Sequence, residues 1–255
     1  MVIEVGFFGG GMSDRISVVI PVGRWEPFVR RAVNSAVQQG DCVEEILLID
    51  NSKTSSGPKV NYGGDKVRVV QSEKIEDAAY ARNLGIRYAK CDLVAVLDAD
   101  DEYLDGHLDR AVQCLQENPS AILYYCSYKN LNNGQSEEIV HATKITGVKD
   151  VVVNCSIGHS CVVYRKYSII RYPEIGRRHD YALWLTLLNA GCKFVFENEF
   201  GMLRYRESGS LSSGSRVSLF LTQASVTYRY SGLSWVVSTY LLSLFLIRTV
   251  VRKFL

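Results

Sequence analysis

The chain contains little proline and neither of the cysteine patterns that indicate a disulfide scaffold or a zinc site. Only five of its 255 residues are proline, and its seven cysteines include no Cys-x-x-Cys. An odd number of scattered cysteines fits neither arrangement, so we expect a reducing compartment. With 47% hydrophobic residues, the chain can bury the core of one large domain.

Two glycine-rich phosphate-binding motifs are also missing. The first apolar run, Ile16–Ile20, is followed by Pro21-Val22-Gly23-Arg24-Trp25 instead of Gly-x-Gly-x-x-Gly, and no Gly-Lys-Ser/Thr motif occurs. These absences disfavour a Rossmann-type oxidoreductase and a P-loop NTPase. A nucleotidyltransferase is disfavoured too, because it would need a glycine-rich, basic loop after this strand.

Negative charge is scarce near the end of the chain, so the charge is unevenly distributed. The net charge is +2, but the residues from Gly201 onward hold seven basic residues and one acid, which leaves the rest at −4. A basic tail suggests an anionic partner, and its hydrophobicity favours a membrane surface over nucleic acid. At the other end, residues 1–11 lack the basic start of a signal peptide, and we expect them to be a dispensable extension before Met12.

The C-terminal segment predicts helices that lie on a membrane without crossing it. Leu233–Ile247 carries no charge and is followed by Arg248, Arg252 and Lys253. This uncharged run is shorter than the roughly 20 apolar residues that a spanning helix needs. A helix in the interface, with its basic residues at anionic headgroups, fits better. The alternative is that residues 213–255 pack on the preceding domain or on a second protomer, as in a homodimer.

Strand-like and helix-like runs alternate through the first half of the chain. Strands are predicted at 16–20, 45–50, 67–71, 93–97 and 121–128, and helices at 26–39, 76–88 and 104–118. This alternation is typical of an α/β fold with a mostly parallel central sheet. The second half predicts short strands at 161–164 and 193–197, a helix at 180–189 that Gly191 can cap, and only helices from 215 onward.

Carboxylates follow three of these segments. The apolar strand Leu93–Leu97 runs into Asp98-Ala99-Asp100-Asp101. Asp50 ends the predicted strand at 45–50, and Asp180 opens the predicted helix at 180–189. Ligands of open α/β sheets bind at the carboxyl edge. Carboxylate oxygens suit Mg²⁺ or Mn²⁺, which in turn bind nucleotide phosphates. The spacing alone leaves open a solvated loop whose acids cap the next helix.

Asp50 has the chemistry to select a nucleotide base. A carboxylate accepts the imide N–H of uracil or thymine, or N1–H of guanine, whereas cytosine presents an acceptor at that position. The alternative is a turn-forming aspartate before Asn51-Ser52. His107, His141 and His159 show no spacing typical of a metal site, although His159 lies between the acidic segments and is a candidate to face an acceptor.

Six segments in order resemble the family 2 glycosyltransferases of the GT-A fold. They are Ile16-Ser-Val-Val-Ile-Pro21-Val22, Glu45-Ile-Leu-Leu-Ile-Asp50-Asn51-Ser52, Ala81-Arg82-Asn83-Leu-Gly85-Ile, Leu97-Asp98-Ala99-Asp100-Asp101, His179-Asp180-Tyr-Ala-Leu-Trp184-Leu, and Arg204-Tyr-Arg206 with Ser210-Leu-Ser212. The chain departs from the family at Gly23-Arg24-Trp25, at Lys74–Asp77 and at His179, where the family often has an acid.

The resemblance implies an inverting, metal-dependent glycosyltransferase. A GT-A domain over residues 13–212 would carry a helical C-terminal segment, 213–255. The family pattern assigns the nucleotide sugar, most naturally a UDP-sugar, to Pro21, Val22, Asp50, Arg82, Asp98 and Ala99. It assigns Mn²⁺ or Mg²⁺ to Asp98 and Asp100, and the catalytic base to Asp180. Arg82 has the alternative of an exposed helix arginine.

The resemblance also implies a cellular context. Family members with such tails often build cell-surface polysaccharide on glycan or lipid-linked acceptors, which places the expected enzyme in the cytoplasm on the inner face of the membrane, without a nucleic-acid partner. A catalytically silent nucleotide-sugar-binding or scaffold protein of the same fold is the alternative.

Overall fold

The structure is a computed structural model that describes residues 14–53, 62, 64–132, 136–206 and 216–251. The expected N-terminal extension, the predicted boundary at 212 and the Ser210-Leu-Ser212 segment lie outside these residues. Within the described part, nine strands form one sheet and seven α-helices surround it. This arrangement confirms the predicted α/β class.

The first four strands form the parallel part of the sheet. They are β1 (Ile16–Val22), β2 (Val43–Asp50), β3 (Val67–Gln71) and β4 (Leu93–Val96), in the spatial order β3-β2-β1-β4. Helices α1 (Pro27–Val37) and α2 (Ala78–Tyr88) belong to the connections between them. Every residue of β1 and β4 is buried, which explains their continuous apolar sequences. Because these four strands run parallel, their carboxyl ends lie at the same edge of the sheet.

The second half of the sheet mixes strand directions. It contains β5 (Glu102–Tyr103), β6 (Ala121–Asn132), β7 (Ser136–Val140), β8 (Val163–Arg165) and β9 (Lys193–Arg206). Strand β8 lies antiparallel between β4 and β6, and the long strand β9 runs parallel to β6. As a result, the segment that leads into β8 reaches the same edge as the acidic end of β4.

Three further helices complete the two sides of the sheet. They are α3 (His107–Glu117), the short α4 (Val148–Val153) and α5 (His179–Asn189). Helix α5 is almost entirely buried, with Trp184 in the core as its apolar surroundings predict. Helix α2 sits so close to β1 that a Cβ on Gly85 would lie 2.2 Å from Val19 Cγ1. This close approach fixes α2, and with it Arg82, against the sheet.

The C-terminal helices α6 (Arg216–Tyr230) and α7 (Trp235–Val251) pack beside α4 and α5. Leu241 and Leu242 of α7 are buried in the core, while Trp235 is 73% exposed. Further exposed apolar side chains of α7 are Val236, Tyr240, Leu246 and Ile247. Helical periodicity places Val236, Tyr240 and Ile247 on the face opposite the buried leucines, and it places Trp235 and Leu246 at the border of that face, beside Leu242. Across the described ranges, no helix combines the length and apolarity needed to cross a bilayer.

Candidate active site

One end of the site is a buried carboxylate at the end of β2. Asp50 Oδ1 accepts hydrogen bonds from the backbone N–H and the hydroxyl of Ser52, at 3.0 and 2.6 Å. Its other oxygen, Oδ2, is buried and has no hydrogen-bond partner among the described residues. Val22 at the end of β1 is the register partner of Asp50, and its carbonyl accepts from Asn51 N. This leaves a free, directed acceptor beside the Pro21-Val22 strand end.

The acidic segment after β4 forms a tight turn. Asp101 N donates to Asp98 O at 3.0 Å, and Arg31 Nη2 donates to the carbonyl of Asp100 at 2.9 Å. Ser160 ties the turn to the rest of the sheet, because its Oγ accepts from Asp98 N and donates to Asp101 Oδ2. Asp101 is buried, whereas Asp98 and Ala99 are half-buried and Asp100 is exposed. The turn therefore presents Asp100 most openly.

Arg82 links the acidic turn to helix α5. Its side chain is 6% exposed, Nη2 pairs with Asp98 Oδ1 at 2.5 Å, and Nη1 lies 2.5 Å from His179 Nε2. The alternative of an exposed helix arginine is therefore wrong. Since Arg82 can only donate, His179 Nε2 must be the acceptor, so this histidine is neutral. Burial, followed by the charge of Arg82, lowers the pKa of His179 to about 4, in agreement with that assignment.

Two further side chains complete this network: His159, which the sequence offered as a candidate to face an acceptor, and Tyr172, which carried no sequence signal. His159 Nδ1 lies 3.3 Å from Asp98 Oδ1, and His159 Nε2 is 2.9 Å from the hydroxyl of Tyr172. Burial alone would raise the pKa of Asp98, but Arg82 and His159 outweigh it and hold the pKa well below the usual range. Asp98 is thus an ionised carboxylate whose Oδ1 already has two partners.

The pKa values of the other two carboxyl groups of the turn are raised, in contrast to that of Asp98. Desolvation, and then the charge of Asp98, raise the pKa of Asp100. Burial and the charges of both neighbours raise the pKa of Asp101 well above its ordinary value, although Ser160 donates to it. Three carboxyl groups in four residues therefore repel one another. Such a site is stabilised by a cation, so the turn favours a positively charged ligand.

The described residues contain no cluster of three histidine, cysteine or acidic side chains that could enclose a metal ion on its own. Mg²⁺, however, is usually held by one or two carboxylates, with waters and substrate phosphates as its other ligands. Asp100 fits that role best, because it is exposed and unpaired by any ion pair in the described part of the chain, while Arg82 occupies Asp98 Oδ1. The donor set is therefore compatible with Mg²⁺ or Mn²⁺ bound together with a diphosphate.

Asp180 lies in the first turn of α5, where Arg178 and not Asp180 is the capping residue. Burial by itself would raise the pKa of Asp180, but the charges of His159 and His179 and the backbone N–H of Tyr181 lower it. At neutral pH His179 is uncharged, so the backbone N–H of Tyr181 and the positive end of helix α5 help to lower the pKa of Asp180 there. The carboxylate is ionised at neutral pH.

Arg204 is a site residue that the sequence reasoning did not assign. It lies on β9, within electrostatic range of Asp101, Asp98 and Asp180, whose charges raise its pKa against the opposing effect of burial. The signal was present in the Arg204-Tyr-Arg206 motif, which indicated only where the core ends. Arg31, which stacks 3.5 Å from the ring centroid of Tyr205, is a second basic residue at the turn.

Comparisons with known proteins agree with this geometry. The chain matches the family described as Glycosyl transferase family 2 over residues 17–171. WfgD of Escherichia coli, named a UDP-Glc:alpha-D-GlcNAc-diphosphoundecaprenol beta-1,3-glucosyltransferase, is 25% identical over 79% of this chain and 80% of its own length. TuaG of Bacillus subtilis, named for teichuronic acid biosynthesis, is 26% identical over 72% of this chain and 76% of its own.

Solved structures show the same fold. The crystal structure of S. aureus TarS covers 91% of this chain at a TM-score of 0.65 and 17% identity, but the match spans only 43% of that longer chain. Its segment 1–349 in complex with UDP-GlcNAc gives a TM-score of 0.66 at 16% identity, over 91% of this chain and 71% of that one. At this identity the likeness concerns the fold.

Proposed function

The chain belongs to glycosyl transferase family 2, and on that premise we propose that it transfers a sugar, with inversion, from a UDP-sugar to a hydroxyl of a glycan or lipid-linked acceptor. The observation that carries the proposal is the grouping of Asp50, the acidic turn, Arg82 and Asp180 at one edge of the sheet. The presence of Asp50, Asp98, Asp100 and Asp180 disfavours a catalytically silent protein of the same fold.

Asp50 is proposed to read the base. Its buried Oδ2 has no hydrogen-bond partner in the described part of the chain, and the imide N–H of uracil supplies the donor that would satisfy it. Pro21 and Val22 lie beside it at the end of β1 and would line the nucleotide. Thymine and guanine offer the same donor, so the base edge excludes cytosine and the remaining contacts must distinguish the others.

The diphosphate would lie against the acidic turn. Asp100, with the Asp98 carboxylate behind it, would hold Mn²⁺ or Mg²⁺, which when bound neutralises charge on the departing nucleoside diphosphate. Arg82 keeps Asp98 ionised and in place. Ala99 adds no side-chain bulk beside the phosphates, and the charge of Arg204 faces the same group of carboxylates. The chain itself would therefore supply charged side chains, held in fixed positions, that bind the leaving diphosphate and its cation.

Asp180 is proposed as the general base. The acceptor oxygen attacks the anomeric carbon, the bond from that carbon to the β-phosphate oxygen breaks, and its electron pair stays with the phosphate. The hydroxyl proton goes to the Asp180 carboxylate, which is ionised at neutral pH. Attack on the face opposite the leaving group inverts the anomeric centre.

The Asp50 assignment predicts a change in base preference. Calorimetry should show that the wild-type protein binds UDP more tightly than CDP in Mn²⁺. Asp50→Asn replaces an acceptor with an amide that can donate to N3 of cytosine, so the UDP/CDP affinity ratio should fall by about tenfold or more, as for a misplaced buried hydrogen bond. The exposed Asp41→Asn serves as the charge-matched control. An unchanged ratio in Asp50→Asn would remove Asp50 from base recognition.

We further propose that the enzyme works in surface polysaccharide synthesis, at the cytoplasmic face of the membrane. WfgD acts, by its name, on a diphosphoundecaprenol-linked acceptor, and such acceptors are anchored in a bilayer. The support from this chain is the exposed apolar face of α7 with Arg248 on the same helix. Burial of aromatic and aliphatic side chains in the interface, assisted by basic residues, is how such helices bind lipid.

Removing that face should release the protein from anionic vesicles. Deleting Leu233–Leu255 would also remove Leu241 and Leu242, which are buried in the core, and expose the apolar surface they cover, so serine at Trp235, Tyr240 and Ile247 is the sharper change. Cosedimentation should fall severalfold for this triple variant and stay unchanged for Ile75→Ser/Ile139→Ser, an exposed apolar pair elsewhere. High salt should weaken binding only partly. If the triple variant still sediments, this face does not bind the membrane. If gel filtration shows a dimer that the triple variant disrupts, the face packs between protomers instead.

A further inference from the structure

A groove of about 380 Å³ lies between the loop that precedes α5 and helix α6. Its walls are formed by Ile175, Gly176 and Arg177 on the loop side and by Leu221, Thr222, Ser225, Val226, Arg229 and Tyr230 on the helix side. None of the four residues of the acidic turn lines it. The groove is therefore separate from the proposed donor site, and nothing in the proposed chemistry uses it.

The groove is positively charged and open to solvent. Arg177 and Arg229 are both exposed, and neither forms an ion pair within the described part of the chain. No aspartate or glutamate is among the described residues that line it, and nearby Glu174 is already paired with Lys74. The Arg229 guanidinium lies 5.5 Å from the ring centroid of Tyr230, which is a cation–π contact. Two uncompensated guanidinium groups in one groove suit an anion with several oxygens.

The groove is close to the proposed base. Arg177 precedes Asp180 by three residues, so their Cα atoms are at most roughly 11 Å apart along the chain. Arg178 between them has a left-handed backbone with φ 62°, an unusual conformation for a residue with a Cβ. Tyr181 of α5 and Thr227 of α6 share a hydrogen bond of 2.9 Å, which fixes the helix that carries Asp180 to the far wall of the groove.

The remaining wall is apolar. Leu221 is 60% exposed, Ile175 is half-buried and Val226 is buried at the base. An anion site with an apolar side fits an amphiphile that carries phosphate, and fits a free phosphate ion less well. Because the Cα atom of Arg177 is at most roughly 11 Å from that of Asp180, the anionic group of an acceptor bound at Asp180 would be within reach of Arg177.

We propose that this groove binds the diphosphate of a lipid-linked acceptor, with Arg177 and Arg229 donating to its two phosphates and Leu221 and Ile175 contacting the first carbons of the lipid. The inference rests on the proposed glycosyl transfer to a lipid-linked acceptor and names the residues that recognise it. It explains how a sugar hydroxyl reaches Asp180 in a fixed orientation, because the diphosphate is held on the chain segment that leads into the base.

The test compares two synthetic acceptors that differ only in the diphosphate. One is GlcNAc joined through a diphosphate to an undecyl chain, and the other is the undecyl glycoside of GlcNAc. Calorimetry should show that the wild-type protein prefers the diphosphate compound, and that Arg177→Gln/Arg229→Gln reduces its affinity by about tenfold per arginine while affinity for the glycoside and for UDP stays unchanged. The control is Arg87→Gln/Arg171→Gln, which removes the same charge from a different groove of about 410 Å³.

The outcomes separate this inference from the proposed function. Equal losses in the two double variants would show a general charge effect and overturn the site, as would a wild-type protein with no preference for the diphosphate. If the groove variant instead loses binding to phosphatidylglycerol vesicles and keeps its preference for the diphosphate acceptor, the groove binds bulk lipid headgroups and the inference is wrong. A wild-type protein that fails to bind UDP would contradict the proposed function itself.

Discussion

Asp180→Asn should lower the rate of sugar transfer by about 10²–10⁴-fold while leaving UDP and metal affinity intact. Asparagine keeps the size and polarity of the side chain but cannot take the acceptor proton. The local structure should tolerate the change, because Asp180 lies within the first turn and not at the N-cap position, which Arg178 occupies. The measurements are single-turnover transfer, UDP calorimetry and thermal unfolding of the same preparation.

A matched acid on another helix shows whether the effect is more than loss of charge at a helix start. Asp109 lies in the first turn of α3 and is exposed, so Asp109→Asn removes the same favourable interaction with the helix dipole away from the site. We expect wild-type turnover for that control. Wild-type turnover in Asp180→Asn would remove Asp180 from the mechanism and leave only a role in helix stability.

Asp100→Ala should abolish the Mn²⁺ dependence of UDP binding and lower transfer by at least about 10³-fold, since a bound cation contributes several kcal/mol of charge stabilisation. Asp100 is the exposed carboxylate of the turn, whereas Asp98 Oδ1 already pairs with Arg82, and Asp101 is buried with its Oδ2 accepting a hydrogen bond from Ser160. Calorimetry of UDP with Mn²⁺ and with EDTA measures the dependence directly.

The control for this variant is Asp105→Ala, an exposed acid in the turn that follows β5. It should retain the Mn²⁺ dependence of the wild-type protein. Equal UDP affinity with Mn²⁺ and with EDTA, in the wild-type protein as well as in Asp100→Ala, would rule out the metal role assigned to Asp100. In that case Arg82 and Arg204 would be the remaining charges able to balance the leaving diphosphate.

The parallel half of the sheet was predictable because local sequence and burial agree there. Strands β1, β2 and β4 contain apolar runs and are largely buried, and the predicted strand at 67–71 has the observed bounds of β3, although that strand at the end of the sheet is mostly exposed. Strand β9 was predicted at 193–197 but extends to Arg206. Its polar stretch at 197–199 coincides with an irregular register against β6, so pairing with a neighbour, not an apolar pattern, sustains it. Helix α4 was missed because six residues are too few to show a helical period.

The candidate site divides in the same way. Asp50 and Asp98 follow apolar strands and Asp180 opens an apolar helix, so these acids could be found from their positions, while Arg82 became meaningful only through the family motif. Tyr172 lies in a segment without regular structure, and nothing in its surroundings indicates that its hydroxyl meets His159. Side chains brought together by non-local packing leave no periodic signal in the sequence.

The role of Ser160 has a consequence for the order in which the protein folds. Its hydroxyl bonds to Asp98 N and Asp101 Oδ2, groups that lie 62 and 59 residues earlier in the chain, and it directly precedes β8. Closing so long a loop costs chain entropy before the contact is gained, so such contacts form late. The four-residue acidic turn therefore cannot reach its final shape as a local unit. It is completed when β8 inserts beside β4, so the ability to hold a charged ligand arises together with closure of the sheet.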